Sequence, residues 1–224
     1  MVNSKINFLL FFTLSIFSTI KGQKMNKTEI ATVGGGCFWC IEAVYQRIDG
    51  IKSVTPGYAG GKSKTTTYKE VCTGTTGHAE VAKIEFNTNV ISYEQILNVF
   101  WQAHDPTTLN RQGNDIGTQY RSVIYYHNEK QKEIAINSKK EADKSGYWDD
   151  KIVTEISEIY NYSDAEDYHN DYYQNNPNQP YCIFVIKPKL GQIDQERAHK
   201  VKKQFLLFIL MFFISASIQF SACE

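Results

Sequence analysis

The chain has 224 residues with 24 basic and 24 acidic side chains, so its charge gives no electrostatic reason to expect binding to nucleic acid or to an anionic membrane surface. Its composition, 42% hydrophobic and 21% charged with only 14 glycines and 5 prolines, excludes disordered, collagen-like and low-complexity architectures. One globular domain of roughly 150 to 200 residues without internal repeats is expected.

The N-terminal end differs in composition from the middle of the chain. Lys5 precedes an apolar run over residues 6–20, which is typical of a signal peptide or N-terminal anchor, here assigned to residues 1–24. No clean small-residue cleavage site follows the run. A genuine signal or anchor would place the protein in the cell envelope or periplasm, whereas a translation start at Met25 would leave it in the cytoplasm.

The C-terminal end, residues 191–224, also stands apart. Lysines lead into an apolar segment over residues 205–220, whose length is marginal for spanning a bilayer, and Cys223 follows it. Two interpretations stay open: a tail anchor, or the start of a neighbouring exported protein joined to this domain. Membrane association is therefore expected only through the apolar ends, and both are left out of the fold prediction.

The domain proper is assigned to residues 27–190 and opens with a strand, a turn and a helix. Residues 30–33 form a short apolar run, glycines occupy 34–36, and apolar residues then recur at helical spacing over 38–48. Cys37 lies at the start of this helix, where free backbone N–H groups favour an anion. We therefore expect the pKa of the Cys37 thiol to be lowered.

The next element places an acid beside apolar residues. Residues 79–86 alternate with a period of two, which predicts a strand with Glu80 as the single acid on its apolar face. Desolvation should raise the pKa of Glu80, as a general acid near neutral pH requires. A buried carboxylate with a structural partner is the alternative interpretation.

The remaining elements indicate a compact α+β domain. A capping box of Ser92 with Gln95 begins a helix that runs through Phe100, and a long polar loop follows over residues 106–118. Later patterns predict a strand at 123–126, a helix at 128–145, a strand at 152–159, a helix at 163–173 and a last strand at 182–186.

The five cysteines are too irregularly spaced for a disulfide scaffold, and only Cys37 and Cys40 form a Cys-x-x-Cys pair. A structural zinc site normally needs a second pair, so we expect no metal, even with His78 as a further ligand. The pair favours redox or nucleophilic chemistry in which Cys40 resolves an oxidised Cys37. Phe38 and Trp39 between them could form an apolar wall for a small group such as a methyl.

Other functions are compatible with these residues taken alone. A thioredoxin-like dithiol–disulfide oxidoreductase would use the same pair, although turn-forming residues rather than Phe38 and Trp39 are then expected between the thiols. A Cys–His acyl-transfer enzyme would need an oxyanion site, for which the sequence gives no further reason. A nonenzymatic binding domain leaves the thiol pair and Glu80 unexplained.

Four motifs, in order, together resemble the type A peptide methionine sulfoxide reductases. They are GGCFWC at 35–40, YKEVCTG at 68–74 running into TGHAE at 76–80, HDPT at 104–107, and QGNDIGTQYRS at 112–122. The similarity continues through EDYH at 166–169 and QPYC at 179–182 and covers about residues 28–190.

The resemblance implies a fold and a reaction. The fold would be a two-layer α+β sandwich with a split-βαβ, ferredoxin-like core. The reaction would be reduction of the S epimer of methionine sulfoxide, free or in proteins, by a monomeric domain without metal or organic cofactor. Thioredoxin or a thioredoxin-like reductant would recycle the enzyme.

The resemblance also implies a role for individual residues. Cys37 would be the nucleophile and would become a sulfenic acid, and Glu80 would protonate the sulfoxide oxygen. The substrate-binding residues would be Phe38 and Trp39 for the methyl group, Tyr68 and Tyr120 for the oxygen, and Asp115 for the substrate or a water.

The chain departs from many relatives in how the thiol would be regenerated. Those relatives have Gly where this chain has Cys40, and they carry the resolving cysteine in a Gly-rich C-terminal tail. Residues 187–201 contain no cysteine here, so Cys40 is expected to form the disulfide with Cys37, and Cys223 is its competitor. Cys182 and Cys72 are expected to be inert, packed thiols.

Overall fold

A mixed six-stranded sheet forms the centre of the computed structural model, which describes residues 27–195. Its strands are β1 (Thr28–Gly34), β2 (Ile51–Ala59), β3 (Ala79–Asn87), β6 (Val123–Tyr126), β7 (Glu155–Glu158) and β8 (Ser163–Asp164), and β4 (Arg111–Gln112) pairs separately with β5 (Asp115–Ile116). The helices are α1 (Phe38–Tyr45), α2 (Tyr68–Val71), α3 (Tyr93–Ala103), α4 (Glu129–Lys144), α5 (Tyr172–Asn175) and α6 (180–195).

The sheet has the order β7-β6-β1-β3-β2-β8. Strand β3 lies between β1 and β2 and is antiparallel to both, so β1, α1 and β2 form a split βαβ unit. Strand β6 adds antiparallel to β1, and β7 adds parallel to β6. The expected α+β sandwich with a split-βαβ core is thus confirmed.

The core lies mainly between the sheet and helices α1, α3 and α4. Apolar residues of β1 and β3 pack against these helices, and a smaller cluster around Val81 and Tyr125 covers the opposite face of the sheet. The predicted face of β3 is confirmed, since Glu80, Ala82 and Ile84 are each at most 1% exposed.

The predicted strand at 182–186 is wrong, because this segment belongs to helix α6 and has π-helical geometry over Cys182–Ile186. Cys182, Ile186, Leu190 and Ile193 are buried, whereas Phe184 is 77% exposed. This spacing of three and four residues is that of one helix face. A short run of β-branched and aromatic residues does not by itself distinguish a strand from a helix.

The predicted helix at 163–173 is also wrong in its extent. Ser163–Asp164 is a short strand, Asp167–His169 is a 3₁₀ turn, and the α-helical part is only Tyr172–Asn175. The carboxylate of Glu166 makes no cap with Ser163 and instead accepts hydrogen bonds from Tyr58 and Tyr68. A tertiary contact has therefore replaced the local capping interaction.

Both apolar ends lie outside the described residues, together with Cys223 and the assignments made for residues 1–24 and for the segment 205–220. Within residues 27–195, no helix is both long enough and apolar enough to cross a bilayer. The same part of the chain holds no group of three or more His, Cys, Asp or Glu side chains arranged to bind a metal ion.

Candidate active site

The glycine turn after β1 places Cys37 at the N-cap of helix α1. Gly36 has φ +87°, which favours glycine, and a Cβ there would lie 2.6 Å from the side chain of Gln112. The N–H of Gly36 donates a 3.2 Å hydrogen bond to the carbonyl oxygen of Tyr120. The turn therefore packs closely against the loop that carries the third and fourth sequence motifs.

The thiol of Cys37 is almost completely buried, with the residue 8% exposed. Burial raises its pKa well above the usual value, and the charges of Glu80 and Cys40 act in the same direction. Hydrogen bonds from the Trp39 N–H and from Tyr181 oppose this rise but do not reverse it. The expectation of a lowered Cys37 pKa is therefore contradicted, because desolvation outweighs the helix N-terminus.

The carboxyl group of Glu80, a residue of strand β3, lies at the N-terminus of helix α1. The pairing of Val33 with Ala82 places Glu80 level with the glycine turn, and its Oε2 accepts a 3.1 Å hydrogen bond from the N–H of Phe38. Burial raises the pKa of Glu80 to about 8, although the Phe38 hydrogen bond lowers it, and Asp115 adds a smaller upward effect. Glu80 is therefore a largely protonated acid near neutral pH, as its sequence pattern predicted.

Aromatic rings surround the start of α1. The indole of Trp39 stacks on Tyr172 with centroids 3.5 Å apart and an interplanar angle of 4°, and its N–H donates a 3.1 Å hydrogen bond to Nδ1 of His169. The ring of Phe38 packs against His169 and Tyr68 at centroid distances of 4.8 and 6.5 Å. The two residues between the thiols thus belong to one continuous aromatic wall.

A hydrogen bond of its backbone N–H fixes the position of Tyr68 at this aromatic wall. Its N–H donates a 2.9 Å hydrogen bond to Oε1 of Glu166, whose Oε2 accepts a second bond of 2.9 Å from the hydroxyl of Tyr58. Burial raises the pKa of Tyr68, and its hydroxyl contacts the thiol of Cys72. Cys72 is exposed, so the expectation that it packs behind the loop is wrong.

Tyr120 approaches the same centre from the loop. Burial raises the pKa of its hydroxyl, and the charges of Glu80 and then Cys37 raise it further. Both phenols are therefore neutral hydrogen-bond donors at physiological pH. The hydrogen bond from the Gly36 N–H to its carbonyl oxygen places Tyr120 next to the turn that precedes Cys37.

The second thiol, Cys40, is 3% exposed and lies one helical turn after Cys37, with its N–H bonded to the Cys37 carbonyl at 3.0 Å. Its Sγ is 3.7 Å from the hydroxyl of Tyr181, which donates a 2.6 Å hydrogen bond to Oδ2 of Asp115. Sequence reasoning missed Tyr181. Its place in the QPYC motif beside a cysteine was the available sign, but the predicted strand there hid which way it faces.

The remaining predicted positions are consistent with structural roles. Cys182 is fully buried, as expected for an inert thiol, and Cys37, Cys40, Cys72 and Cys182 are all free within the described residues. His104 is buried and hydrogen-bonded to the Phe100 carbonyl at 2.8 Å.

The fold and this arrangement define a class of protein. A buried thiol beside a protonated carboxyl, with a second thiol one turn away and an aromatic wall around them, is suited to thiol-based redox chemistry on a substrate with a small apolar group.

Comparison with known proteins gives the family. A family model described as "Peptide methionine sulfoxide reductase" matches residues 29–202. The peptide methionine sulfoxide reductase MsrA of Leptospira borgpetersenii is 53% identical over 176 residues, covering 79% of this chain and 98% of the relative. That of Saccharolobus solfataricus is 53% identical over 174 residues, covering 78% and 97%. The chain belongs to the peptide methionine sulfoxide reductase family.

Solved structures agree with this assignment. The chain is similar to the reduced form of Mxr1 from Saccharomyces cerevisiae, with a TM-score of 0.65 and 38% identity over 70% of this chain and 90% of that one. It is also similar to methionine sulfoxide reductase A of Corynebacterium diphtheriae, with a TM-score of 0.61 and 32% identity over 74% and 82%. The protein is an oxidoreductase that reduces methionine sulfoxide, and the dithiol-exchange, acyl-transfer and binding-domain alternatives fall away.

Proposed function

We propose that Cys37 reduces the sulfoxide as a nucleophile and that Glu80 supplies the proton. The Cys37 sulfur attacks the sulfoxide sulfur while the sulfoxide oxygen takes the Glu80 proton, and the proton that the Cys37 thiol loses restores protonated Glu80. The oxygen is then transferred to Sγ, so methionine leaves and Cys37 becomes a sulfenic acid. Both electrons come from Cys37, and the step balances with no metal or organic cofactor.

The contact of Glu80 with the N–H of Phe38 is the observation that carries this proposal. It fixes the carboxyl group beside the residue that bears the thiol, in surroundings that raise its pKa to about 8. A protonated Glu80 also removes the negative charge that raises the pKa of Cys37, so binding of a sulfoxide by the protonated acid favours the thiolate.

The aromatic wall then sets how the substrate lies. Phe38 and Trp39 receive the methyl group, and the hydroxyls of Tyr68 and Tyr120 donate hydrogen bonds to the sulfoxide oxygen. Asp115 holds the substrate or a water. Groups fixed on opposite sides of a chiral sulfur select one epimer, for which we propose the S sulfoxide of free or protein-bound methionine.

Regeneration uses the neighbouring thiol. Cys40 attacks the sulfenic acid, a Cys37–Cys40 disulfide forms and water leaves. Thioredoxin or a thioredoxin-like dithiol then reduces this disulfide. The position of Cys40 one helical turn from Cys37, within contact of the Tyr181 hydroxyl, supports it over Cys223 as the resolving thiol.

The termini carry a separate proposal. The reductase domain expected at residues 27–190 continues through helix α6 to at least residue 195, since Ile193 is part of the core, residues 1–24 are a signal peptide or anchor, and the residues that follow the domain, to 224, are an added tail with an apolar segment. Lys5 and the apolar run after it support the N-terminal assignment. Sequencing the N-terminus of the mature protein and protease protection in intact cells test it, and an unprocessed, protected and membrane-free chain would contradict it.

The catalytic proposal is tested with the two separated sulfoxide epimers of N-acetylmethionine, with thioredoxin, its reductase and NADPH for recycling. Turnover of the S epimer that is lost in Cys37→Ser is the expected result. Turnover that survives Cys37→Ser, or equal turnover of both epimers, would contradict it.

A further inference from the structure

A buried carboxylate that has no part in the proposed chemistry lies on the same helix as the reactive thiol. Glu42 of α1 is 1% exposed. Its Oε1 accepts a 2.8 Å hydrogen bond from the N–H of Asp171, and its Oε2 accepts one of 3.2 Å from the N–H of Tyr172. A buried carboxylate that binds two backbone groups of another segment fixes that segment relative to its own helix.

The segment that Glu42 holds does not have a relaxed backbone. Asp171 has φ +54°, in the left-handed region that few residues other than glycine favour. At the surface, Nε2 of Gln46 donates a 2.7 Å hydrogen bond to Oδ1 of the same Asp171. The turn over residues 169–172, called here the clamp turn, is therefore anchored to α1 by the buried side chain of Glu42 and to the C-cap of that helix by the side chain of Gln46.

The clamp turn in turn holds Trp39. Tyr172 lies flat on the indole at 3.5 Å, and His169 at the other end of the turn accepts the indole N–H. One face and one edge of the Trp39 ring are thus fixed by two residues of the same short segment. Trp39 and Glu42 both belong to α1. The same helix therefore fixes the clamp turn through Glu42 and is contacted by that turn at Trp39.

We propose that Glu42 is a positioning residue for the substrate pocket, because it fixes the clamp turn and so holds Tyr172 against Trp39. The indole is then presented in one orientation to the methyl group of the substrate, while Glu42 itself contacts neither thiol. This inference rests on the proposed function in one respect, the role of Trp39 as the methyl-binding wall.

The test uses Glu42→Gln in the full-length chain. Glutamine offers one acceptor oxygen and places an NH₂ donor against the second backbone N–H, so one anchor is lost. Single-turnover rates over a range of S-sulfoxide concentrations should show a half-saturation concentration raised on the order of tenfold, with the limiting rate within about twofold of wild type. An unchanged half-saturation concentration, or a loss confined to the limiting rate, would overturn the inference.

A control residue lies at the C-cap of the same helix. Gln46→Ala removes the exposed anchor of Asp171 and should leave the half-saturation concentration within about twofold, because solvent replaces an exposed hydrogen bond. If Glu42→Gln does not fold, Glu42→Asp keeps the carboxyl group, is one methylene too short to reach both N–H groups, and should give the same raised half-saturation concentration.

The route through Tyr172 is tested by a double-mutant cycle. In a Tyr172→Ala background the clamp is already lost, so adding Glu42→Gln should change the half-saturation concentration less than about twofold. Independent effects that multiply would show that Glu42 does not act through Tyr172.

Fluorotryptophan NMR separates a failure of this inference from a failure of the proposed function. The chain has three tryptophans, and Trp39→Phe assigns the resonance of Trp39. Without substrate, Glu42→Gln should shift or broaden that resonance while those of Trp101 and Trp148 stay in place. An unchanged Trp39 resonance overturns the inference. A shifted resonance with wild-type half-saturation in both Glu42→Gln and Trp39→Ala overturns it as well, and traces the fault to the proposed methyl wall.

Discussion

The hydroxyl of Tyr181 donates a 2.6 Å hydrogen bond to Oδ2 of Asp115, which connects helix α6 to strand β5 beside the thiol pair. The same hydroxyl lies 3.7 Å from Sγ of Cys40 and lowers the pKa of that thiol against the larger upward effect of burial. One phenol therefore links the predicted substrate-binding carboxylate to the predicted resolving thiol.

Tyr181→Phe should slow both sulfoxide reduction and disulfide formation. The hydroxyl lowers the pKa of Cys37 as well as that of Cys40, so without it less thiolate is available for the attack on the sulfoxide and for the attack on the sulfenic acid. Rapid-mixing measurements should show the first turnover and the rate of Cys37–Cys40 disulfide formation each lower on the order of tenfold.

The control for that change is Tyr162→Phe, which removes another tyrosine–aspartate bond, the 2.5 Å contact with Asp164 on the far face of the sheet. It should alter neither step. A wild-type rate of disulfide formation in Tyr181→Phe, or the same defect in Tyr162→Phe, would show that the hydroxyl does not act on Cys40.

Glu80→Gln should slow the chemical step and remove one limb of its pH dependence. A proton donor is active only when protonated, so the wild-type first-turnover rate should fall as the pH rises through about 8, the pKa of Glu80. Glutamine cannot give up a proton, so the variant should be about 10² to 10⁴ times slower and lack this limb.

Stopped-flow rates between pH 6 and 10 measure this, with Glu70→Gln as the control because Glu70 is an exposed acid of the α2 capping box. A first-turnover rate in Glu80→Gln equal to that of wild type would remove Glu80 from the mechanism.

The same substitution should stabilise the fold at high pH. The pKa of Glu80 is raised in the folded protein from 4.5 to about 8, so its contribution to stability is full below pH 4.5 and is lost as the pH rises through about 8. Glu80→Gln has no such loss. Its free energy of unfolding relative to wild type should increase by up to about 1.4 kcal/mol per pH unit between pH 5 and 8.

Urea denaturation across that range tests this prediction. A constant difference between the two proteins would mean that Glu80 is charged in the folded state throughout, which would also weaken its role as an acid.

The sequence predicted which residues form the site better than it predicted the pKa values of those residues. The alternation around Glu80 specified both its strand and its burial, because a period of two separates the faces of a sheet. The glycines at 34–36 predicted the start of α1 equally well, but the sign of the shift in the Cys37 pKa was predicted wrongly. That sign depends on how tightly distant segments exclude water, and no local pattern records it.

Strand β2 shows a different limit. It contains Pro56 and Gly57 and lacks clean alternation, so it gave no strand signal, yet it pairs with β3 over nearly its whole length. Part of helix α6 was predicted as a strand for a related reason. An apolar run does not indicate which of its residues will be buried by the rest of the fold. Tyr181 was missed with it, because its contacts with Cys40 and Asp115 exist only in the helical form.

Cys40→Ser should permit one turnover and stop there. Cys37 would still reduce one sulfoxide rapidly, but its sulfenic acid would have no neighbouring thiol to form the disulfide that thioredoxin reduces. Methionine formed per enzyme should level off near one equivalent in the presence of thioredoxin, and trapping with dimedone should label Cys37. Cys182→Ala, which removes a buried thiol with no proposed role, should keep multiple turnovers.

Repeated turnover by Cys40→Ser would contradict the assignment of Cys40. If adding Cys223→Ser then abolished it, Cys223 would be the resolving thiol, and if it persisted, the reductant would act directly on the sulfenic acid.

Gly36→Ala should damage the site through one close contact. Gly36 has φ +87°, and an added Cβ would lie 2.6 Å from the side chain of Gln112, so the turn that delivers Cys37 to the helix N-terminus would have to shift. Gly74→Ala is matched in backbone conformation, with φ +72°, but its Cβ would meet nothing within 4 Å.

Both variants should lose about 1 kcal/mol of stability from the strained φ. Gly36→Ala alone should also lose more than about tenfold in the first-turnover rate, because small displacements of a reacting group are costly. Equal rates in the two variants, measured beside their free energies of unfolding, would show that the turn does not set the position of Cys37.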